Sequence, residues 1–522
     1  MKDGTDRARA APGDGTLPVP SRGWILAALM CTMMLAAMDT TIVSTAIPQI
    51  AGELGGFALF SWVFSIYLLA QTVTIPIYGK LADLVGRKPV LVVGTLVFLA
   101  GSAACAAAWN MPSLIAFRAL QGIGAGSIMA TVNTLAGDLY PVQQRGVVQG
   151  WLSSVWAVAA VAGPVVGGVF VEHASWRWIF LINLPVGLAA LALIGVFLHE
   201  RFERRQPRID YAGAVLVLLA VGALLVALLE GGQRWPWLSA PSAAAFGVAA
   251  IAATLAIRVE SRAAEPVMPG WLWRDRLLGG CNVSMIGMGL VMMAPSLLLP
   301  TLLQSVQGLD AIAAGLVFAC MSIGWPLASA LSARVYMRIG FRDAALVGTA
   351  LVIAALLLYA VLPDPLPVIG AVLVQLVLGA GFGLLSTPLL VGEQSVVDWG
   401  RRGVVTGANM FSRYLGQSLG AAIVGAIFNA TLAGRLAAAP AALGGAVPER
   451  IDAVIGVLQA PQTAPAAQAF LREAISLATR KAFVAMLVPA LAIALVLLFV
   501  PRRFPLAAAS PTPVADRAGS SG

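Results

Sequence analysis

Residues Trp24 to Pro48 read WILAALMCTMMLAAMDTTIVSTAIP, and Asp39 is the one acid or base in the run. It sits about 15 residues in, so on a helix rising ~1.5 Å per residue it lies ~22 Å from the start. That is past the midplane of a hydrocarbon core about 30 Å thick, and still inside it. A carboxyl group at that depth costs a few kcal/mol on insertion scales, and such residues face a cavity or a partner. The run therefore implies a membrane transporter with Asp39 in its working site. The plainer alternative is a buried acid satisfied by the neighbouring hydroxyls of Thr40 and Thr41.

Composition agrees with a bilayer setting. Of 522 residues, 59% are hydrophobic and 11% charged, against about 25% charged in soluble domains. Mean hydropathy is +0.88. A formal charge of +9 could suggest nucleic acid. The Lys and Arg residues instead sit in short loops between apolar runs, where they set topology, so no nucleic-acid partner is expected. Cys31, Cys105, Cys281 and Cys320 fall within apolar runs and form no CxxC pair; with only His173 and His199 beside them, neither a disulfide framework nor a metal site is expected. The polar tail 1–22 precedes a run too long for a signal-peptide core, so that run reads as the first span, with the N-terminus cytoplasmic.

Runs of spanning length fall at about 24–47, 57–78, 89–109, 113–137, 146–170, 176–198, 210–229, 240–257, 280–303, 311–334, 343–362, 366–390, 404–428 and 483–501. With the N-terminus inside, the loops after even-numbered spans carry 17 Lys and Arg, from Lys80 to Arg402. The short odd-numbered loops hold Arg177 and Arg234. That asymmetry places both termini in the cytoplasm, with Arg502 and Arg503 at the inner face. The stretch 429–482 is an exception. It carries Arg435, Arg450, Arg472, Arg480 and Lys481, and reads as a long external linker in which 466–482 forms an amphipathic helix.

A faint repeat runs at an offset of 254 residues. Gly86-Arg87-Lys88, followed by Val93-Gly94-Thr95, maps to Gly340-Phe341-Arg342, followed by Val347-Gly348-Thr349; Gln121 maps to Gln375. Spans 1–6 then face spans 9–14, with 7 and 8 inserted. Two such halves around a midplane site are a transporter architecture. The expected divisions are a cytoplasmic tail 1–22, a six-helix bundle 23–200, two inserted helices 201–275, a second six-helix bundle 276–503, and a cytoplasmic tail 504–522.

Several stretches carry chemistry. The loop after span 2, Gly79-Lys80-Leu81-Ala82-Asp83-Leu84-Val85-Gly86-Arg87-Lys88, combines glycines for close approach with charges able to latch two states. Asp83 can reach Arg87 or a helix end. Span 4 holds Arg118 in FRALQG, where it either snorkels or pairs with a carboxylate. Gly163-Pro164-Val165-Val166-Gly167-Gly168 is a kinkable, close-packing stretch. Arg413, near the middle of span 13, should face a cavity or pair internally, beside Gly416 and Gly420. Trp62, Phe64, Tyr67 and Gln121 are candidates to line the cavity. Glu393 and Glu230 read as interfacial residues.

The pattern G-x-x-x-D-x-x-G-R-K resembles the cytoplasmic loop signature of the major facilitator superfamily. R-x-x-Q-G at Arg118 resembles its fourth-helix motif, whose arginine is implicated in proton transfer. The Gly163 stretch resembles the antiporter motif of drug exporters, with Ala159 where the family usually has a glycine. Met38-Asp39-Thr40-Thr41-Ile42-Val43 to Pro48, Trp176 to Gly187 (WRWIFLINLPVG) and Asp210-Tyr211-Ala212-Gly213 resemble the fourteen-helix drug:proton antiporter branch, as does the context of Arg413. The resemblance covers about residues 22–503. It implies an all-α polytopic membrane protein of the major facilitator fold, two pseudo-symmetric six-helix bundles plus two inserted helices.

It further implies multidrug efflux from the cytoplasmic (inner) membrane by proton antiport. Asp39 would be protonated from outside and released inward, its cycling near neutral pH resting on burial. A cationic drug could compete for the same carboxylate. Small molecules, protons and the bilayer are the expected partners, with a periplasmic adaptor if the host is Gram-negative. No P-loop, no H-E-x-x-H and no strand-borne G-x-G-x-x-G occurs, so neither enzyme activity nor a cofactor is expected. Export of an endogenous siderophore, lipid or antibiotic is the alternative, and a non-transporting receptor stands behind it. At the repeat offset Asp39 meets Met293, so a proton-carrying acid would belong to the first half alone.

Overall fold

The computed structural model describes residues 19–55, 59–200, 210–232, 234–362, 367–440, 443, 446–448, 451–459 and 463–505. Most of both tails, and Arg201, Arg204, Arg205, Arg208 and Arg450, lie outside the described residues. The described chain is helical, its one β feature an isolated bridge between Gly231 and Trp235. A helix satisfies its own backbone, which an apolar solvent requires. The helices are α1 (Val19–Leu54), α2 (Phe60–Val85), α3 (Arg87–Ala106), α4 (Met111–Leu139), α5 (Val142–His173), α6 (Trp178–Leu181), α7 (Asn183–Phe197), α8 (Tyr211–Glu230) and α9 (Ala240–Glu260). There follow α10 (Gly270–Arg274), α11 (Arg276–Ser305), α12 (Ala311–Ile339), α13 (Phe341–Val361), α14 (Val368–Ser395), α15 (Arg402–Ala437), α16 (Val454–Gln459), α17 (Pro465–Ala485) and α18 (Leu487–Phe499).

Among the described residues, fourteen segments are long and apolar enough to cross a membrane. The sixth joins α6 and α7, and the fourteenth joins α17 and α18. The two largest apolar cores lie one in each half. One gathers α1 to α5 and α7 around Leu29, Phe98 and Leu152; the other gathers α11 to α15 and α18 around Met288, Phe382 and Leu497. The halves meet where α2 packs on α15 and α5 on α12. The pair α8 and α9 packs on itself and touches α2 and α15 through α8.

The 254-residue repeat is visible as geometry. Gly86 joins α2 to α3 at φ 105°, and Gly340 joins α12 to α13 at φ 94°. Each breaks a helix pair with a single residue in a conformation open to glycine and costly for any side chain. The end of the bundle that carries these two turns is called the turn end below.

One expected boundary needs correction. The stretch 429–482 does not begin as a linker, because α15 continues to Ala437; the amphipathic helix expected at 466–482 is α17, and it leads into the last span. At ~1.5 Å per residue, the 36 residues of α15 reach about 54 Å, well past a ~30 Å core. The extension is held by its own small core, in which Leu432 and Leu436 meet Val454, Leu458, Leu471 and Ile475, and by an Arg435–Glu473 ion pair. Only one face of each helix is apolar there, so hydropathy falls while the helix continues.

Candidate functional site

Asp39 lies in α1 with 1% of its surface exposed. Arg118 of α4 donates from Nη1 to Asp39 Oδ2 at 2.5 Å and to Gln121 Oε1 at 2.8 Å. Gln121 Nε2 donates to Asp39 Oδ1 at 2.8 Å and to Ser102 Oγ at 3.2 Å. Arg118 and Gln121 share one face of α4, three residues apart. Arg118 Nε donates to the Val63 carbonyl, and its guanidinium stands 4.2 Å over the Tyr67 ring. Ser102 donates to the Phe180 carbonyl and accepts from Asn183 Nδ2, so the network ends in the WRWIFLINLPVG stretch. Thr40 and Thr41 do not satisfy the acid. Their hydroxyls donate to backbone carbonyls, Thr40 to Ala37 and Thr41 to Ala159 across to α5. The pair is buried, so removing one member strands the other in a medium that screens it poorly.

A cavity of about 330 Å³ lies between the halves. Its wall carries seven methionines and four aromatic rings, those of Trp156, Phe318, Trp325 and Tyr414. Methionine fills irregular space and adapts to varied apolar shapes. Asn409, Arg413 and Gln417 of α15 repeat at four-residue spacing and face this cavity together. Among the described lining residues Arg413 is the only charge, and no acid is present. Its guanidinium lies 5.2 Å from the Tyr414 ring, and its Nε has no hydrogen-bond partner.

The turn end is closed by a second network. Asp83 accepts from Arg87 Nη2 at 2.8 Å and from the Gly403 and Val404 amides at 2.9 and 2.8 Å. A carboxylate thus sits at the positive N-terminal end of α15, which belongs to the other half. Arg87 also donates to Asp138 and stacks on Trp399 at 3.4 Å. Arg402 bonds Asp138, Arg145 bonds Ser395, and Tyr336 bonds the Val142 carbonyl, all between halves. Gly79 and Gly403 allow the approach: a Cβ on Gly79 would lie 2.4 Å from the Gly403 carbonyl oxygen. Lys88 anchors within its own half, on the carbonyls of Gly195 and Leu198.

The sequence-derived site therefore divides into three. Asp39, Arg118 and Gln121 come together as one ion-paired triad. Gly79, Asp83, Gly86 and Arg87 form the closed turn end. Gly163 packs α5 on α1, where a Cβ would meet Thr41 Oγ1 at 2.1 Å; Gly167 is buried, and Pro164 and Gly168 face outward or open space. Of Trp62, Phe64, Tyr67, Gln121 and Arg413, the five residues expected to face the cavity, only Arg413 lines it. Tyr67 and Gln121 are fully buried in the Asp39 network, and Trp62 lies outside the lining. Their helix faces point into the first half because Arg118 draws Gln121 and Tyr67 around itself. Asp39 is likewise absent from the lining, although its neighbours Thr40 and Thr41 belong to it.

Glu393 is not interfacial. It is fully buried, accepting from Asn282 Nδ2 at 3.2 Å and from Asn409 Nδ2 at 2.7 Å. Sequence reading passed over Gln71, Gln149, Asn409 and Gln417, which line the cavity. An amide inside a spanning run was the available signal. Outside the spans, Glu53 accepts from Trp176 Nε1 at 2.6 Å and pairs with Arg177. Hydrogen bonding to Arg177 and then Trp176 holds its carboxyl below the usual range.

These features can be set beside known proteins. The sequence profile of the Major Facilitator Superfamily matches residues 29–421. The chain is 34% identical to the multidrug transporter protein MdtP of Bacillus subtilis (strain 168), over 78% of this chain and 76% of that one. It is 33% identical to multidrug resistance protein 3 of the same organism, over 78% and 80%. It is 32% identical to the efflux pump FUS6 of Gibberella fujikuroi, over 79% and 77%. Two solved structures share the fold: the human organic anion transporter MFSD10 (TETRAN), at TM-score 0.60 and 15% identity over 92% of this chain and all of that one, and a bacterial homologue of the iron transporter ferroportin in an outward-facing state, at 0.57 and 13% over 91% and 99%. With a profile that spans most of the chain and relatives above 30% identity across three quarters of it, this chain belongs to the major facilitator superfamily of membrane transporters.

Proposed function

We propose that this transporter exports lipophilic small molecules across the cytoplasmic membrane in exchange for protons, with both termini in the cytoplasm. The observation that carries the reading is the buried Asp39–Arg118–Gln121 triad directly behind the cavity wall. The name of one relative, efflux pump FUS6, supports the direction of transport. The working units are the bundles 23–200 and 276–503, with 201–275 as an inserted pair.

A proton arriving from outside adds to an Asp39 carboxylate oxygen and discharges its half of the ion pair. Arg118 then keeps only its neutral acceptors, the Val63 carbonyl and Gln121 Oε1. The α1–α4 contact loses its charge–charge attraction. Thr40 and Thr41 carry that change to the cavity wall, and Thr41 to α5 through the Ala159 carbonyl. The turn end, on the cytoplasmic side, holds the outward-facing arrangement until its bonds to α15 release. Loss of the proton to the cytoplasm restores the pair and resets the cycle.

Purified protein in liposomes should move a lipophilic dye against its gradient when a pH gradient is imposed. Asp39→Asn should abolish the response to the gradient while leaving downhill exchange measurable. Dye movement in Asp39→Asn that still follows the pH gradient rules out the proposed role.

A further inference from the structure

We infer that the cavity selects lipophilic anions, with Arg413 as the charge-reading residue. This rests on the reading of the cavity as the transported molecule's site. Three groups in one wall system are short of acceptors. Arg413 Nε is buried with no partner. Gln71 Nε2 is also without a partner, in a side chain with 1% of its surface exposed. Gln417, one turn beyond Arg413, spends its amide donor on the Met292 sulfur at 3.3 Å, a weak acceptor.

Charge points the same way. Among the described residues Arg413 has no carboxylate partner, and the acids nearest in role are committed elsewhere: Asp39 to Arg118, and Glu393 to the two asparagine amides. A guanidinium in an apolar wall gains most from a carboxylate or sulfonate that its planar fork can hold. The aromatic rings of the same wall could hold a cation by their faces, but any cation there shares the cavity with the Arg413 charge. The methionines and rings then take the apolar body of the ligand. The ligand class is an aromatic or aliphatic amphiphile bearing one acidic group. Asp39, paired with Arg118 and outside the lining, presents no free carboxylate to this cavity.

The test uses three probes on the detergent-purified full chain: anilinonaphthalene sulfonate, its uncharged parent phenylnaphthylamine, and ethidium. Each is titrated while the melting temperature is recorded. The sulfonate should reach its half-effect about tenfold below the uncharged parent, as for one charged hydrogen bond gained, and ethidium should need the highest concentration. In Arg413→Gln the sulfonate and its parent should converge. Arg413→Lys, with charge but no fork, should fall between. If Arg413→Gln does not fold, Gln417→Leu should narrow the same ratio.

Ethidium acting below the sulfonate in the wild type, or an unchanged ratio in a folded Arg413→Gln, overturns the inference. Transport in liposomes separates this from the exporter reading. A protein that prefers the sulfonate but pumps nothing keeps the anion site and loses the exporter. One that binds and pumps ethidium in preference keeps the exporter and loses the anion site.

Discussion

At the scale of residues, the ion pair between Asp39 and Arg118 does two jobs that pull against each other. It holds α1 to α4, and it must come apart in the transport cycle. Truncating one member of such a buried pair costs about 3–5 kcal/mol, because the other charge is left uncompensated. Arg118→Gln should therefore lower the melting temperature strongly, since Asp39 would keep only Gln121 as donor. Asp39→Asn should cost less than that, because the amide keeps the shape and the stacked Tyr67 ring still supports the guanidinium. The double variant Asp39→Asn/Arg118→Gln should be more stable than the sum of the two losses predicts. Thermal denaturation of all four proteins gives the coupling. A strictly additive cycle would mean that the pair adds nothing beyond its separate members.

At the scale of elements, the helix packing depends on missing side chains. Gly79 on α2 and Gly403 on α15 touch backbone to backbone, and a Cβ on Gly403 would lie 2.3 Å from the Gly79 carbonyl oxygen. Gly79→Val should hold the two halves apart at the turn end and stop efflux, with the chain still inserted and folded, since each half keeps its own core. Transport and thermal denaturation measured together check this; normal efflux would show that closure does not need the contact. At the other end, Glu53 ties α1 to the segment that opens span 6 through Trp176 and Arg177. Its carboxyl is held below the usual range, so the tie is present at neutral pH and is lost as pH falls through the carboxylate range. Glu53→Gln should remove that acid-dependent part of the melting curve, which a pH series of melting temperatures would show.

Much of this is legible in the amino-acid sequence, and the reasons are physical. Fourteen spans follow from hydropathy because lipid leaves a chain little else to do. The latch was legible because glycine and charge spacing on one loop has few other uses. The depth of Glu393 was not, because the α14 run ends in a helix that stays buried after its hydropathy falls. Nor was the cavity wall. Periodicity says which residues share a face, but not which neighbour that face meets. Tyr67 and Gln121 share faces with the right helices and turn into the bundle, while Arg413 turns into the cavity.

At the scale of the whole molecule, the hydrogen bonds between the halves gather, among the described residues, at the turn end, so this end decides which side of the membrane the cavity meets. Asp83 is the member with most leverage. It accepts from Arg87 in its own half and from two amides at the start of α15 in the other. Asp83→Asn replaces an acceptor of three bonds with an amide that can present only one oxygen, and it removes the charge that complements the α15 dipole. A loss of about 2 kcal/mol on the closed arrangement would move a thirtyfold preference for it to near balance. On a background with the four cysteines replaced, Ser386→Cys places a single thiol in the cavity wall. With Asp83 intact, a membrane-impermeant maleimide should label that thiol from outside and not from the cytoplasmic side. With Asp83→Asn, labelling from the cytoplasmic side should become substantial. If sidedness is unchanged by the substitution, the carboxylate at α15 does not hold the closed arrangement, and the remaining bonds of Arg402, Arg145 and Tyr336 carry it instead.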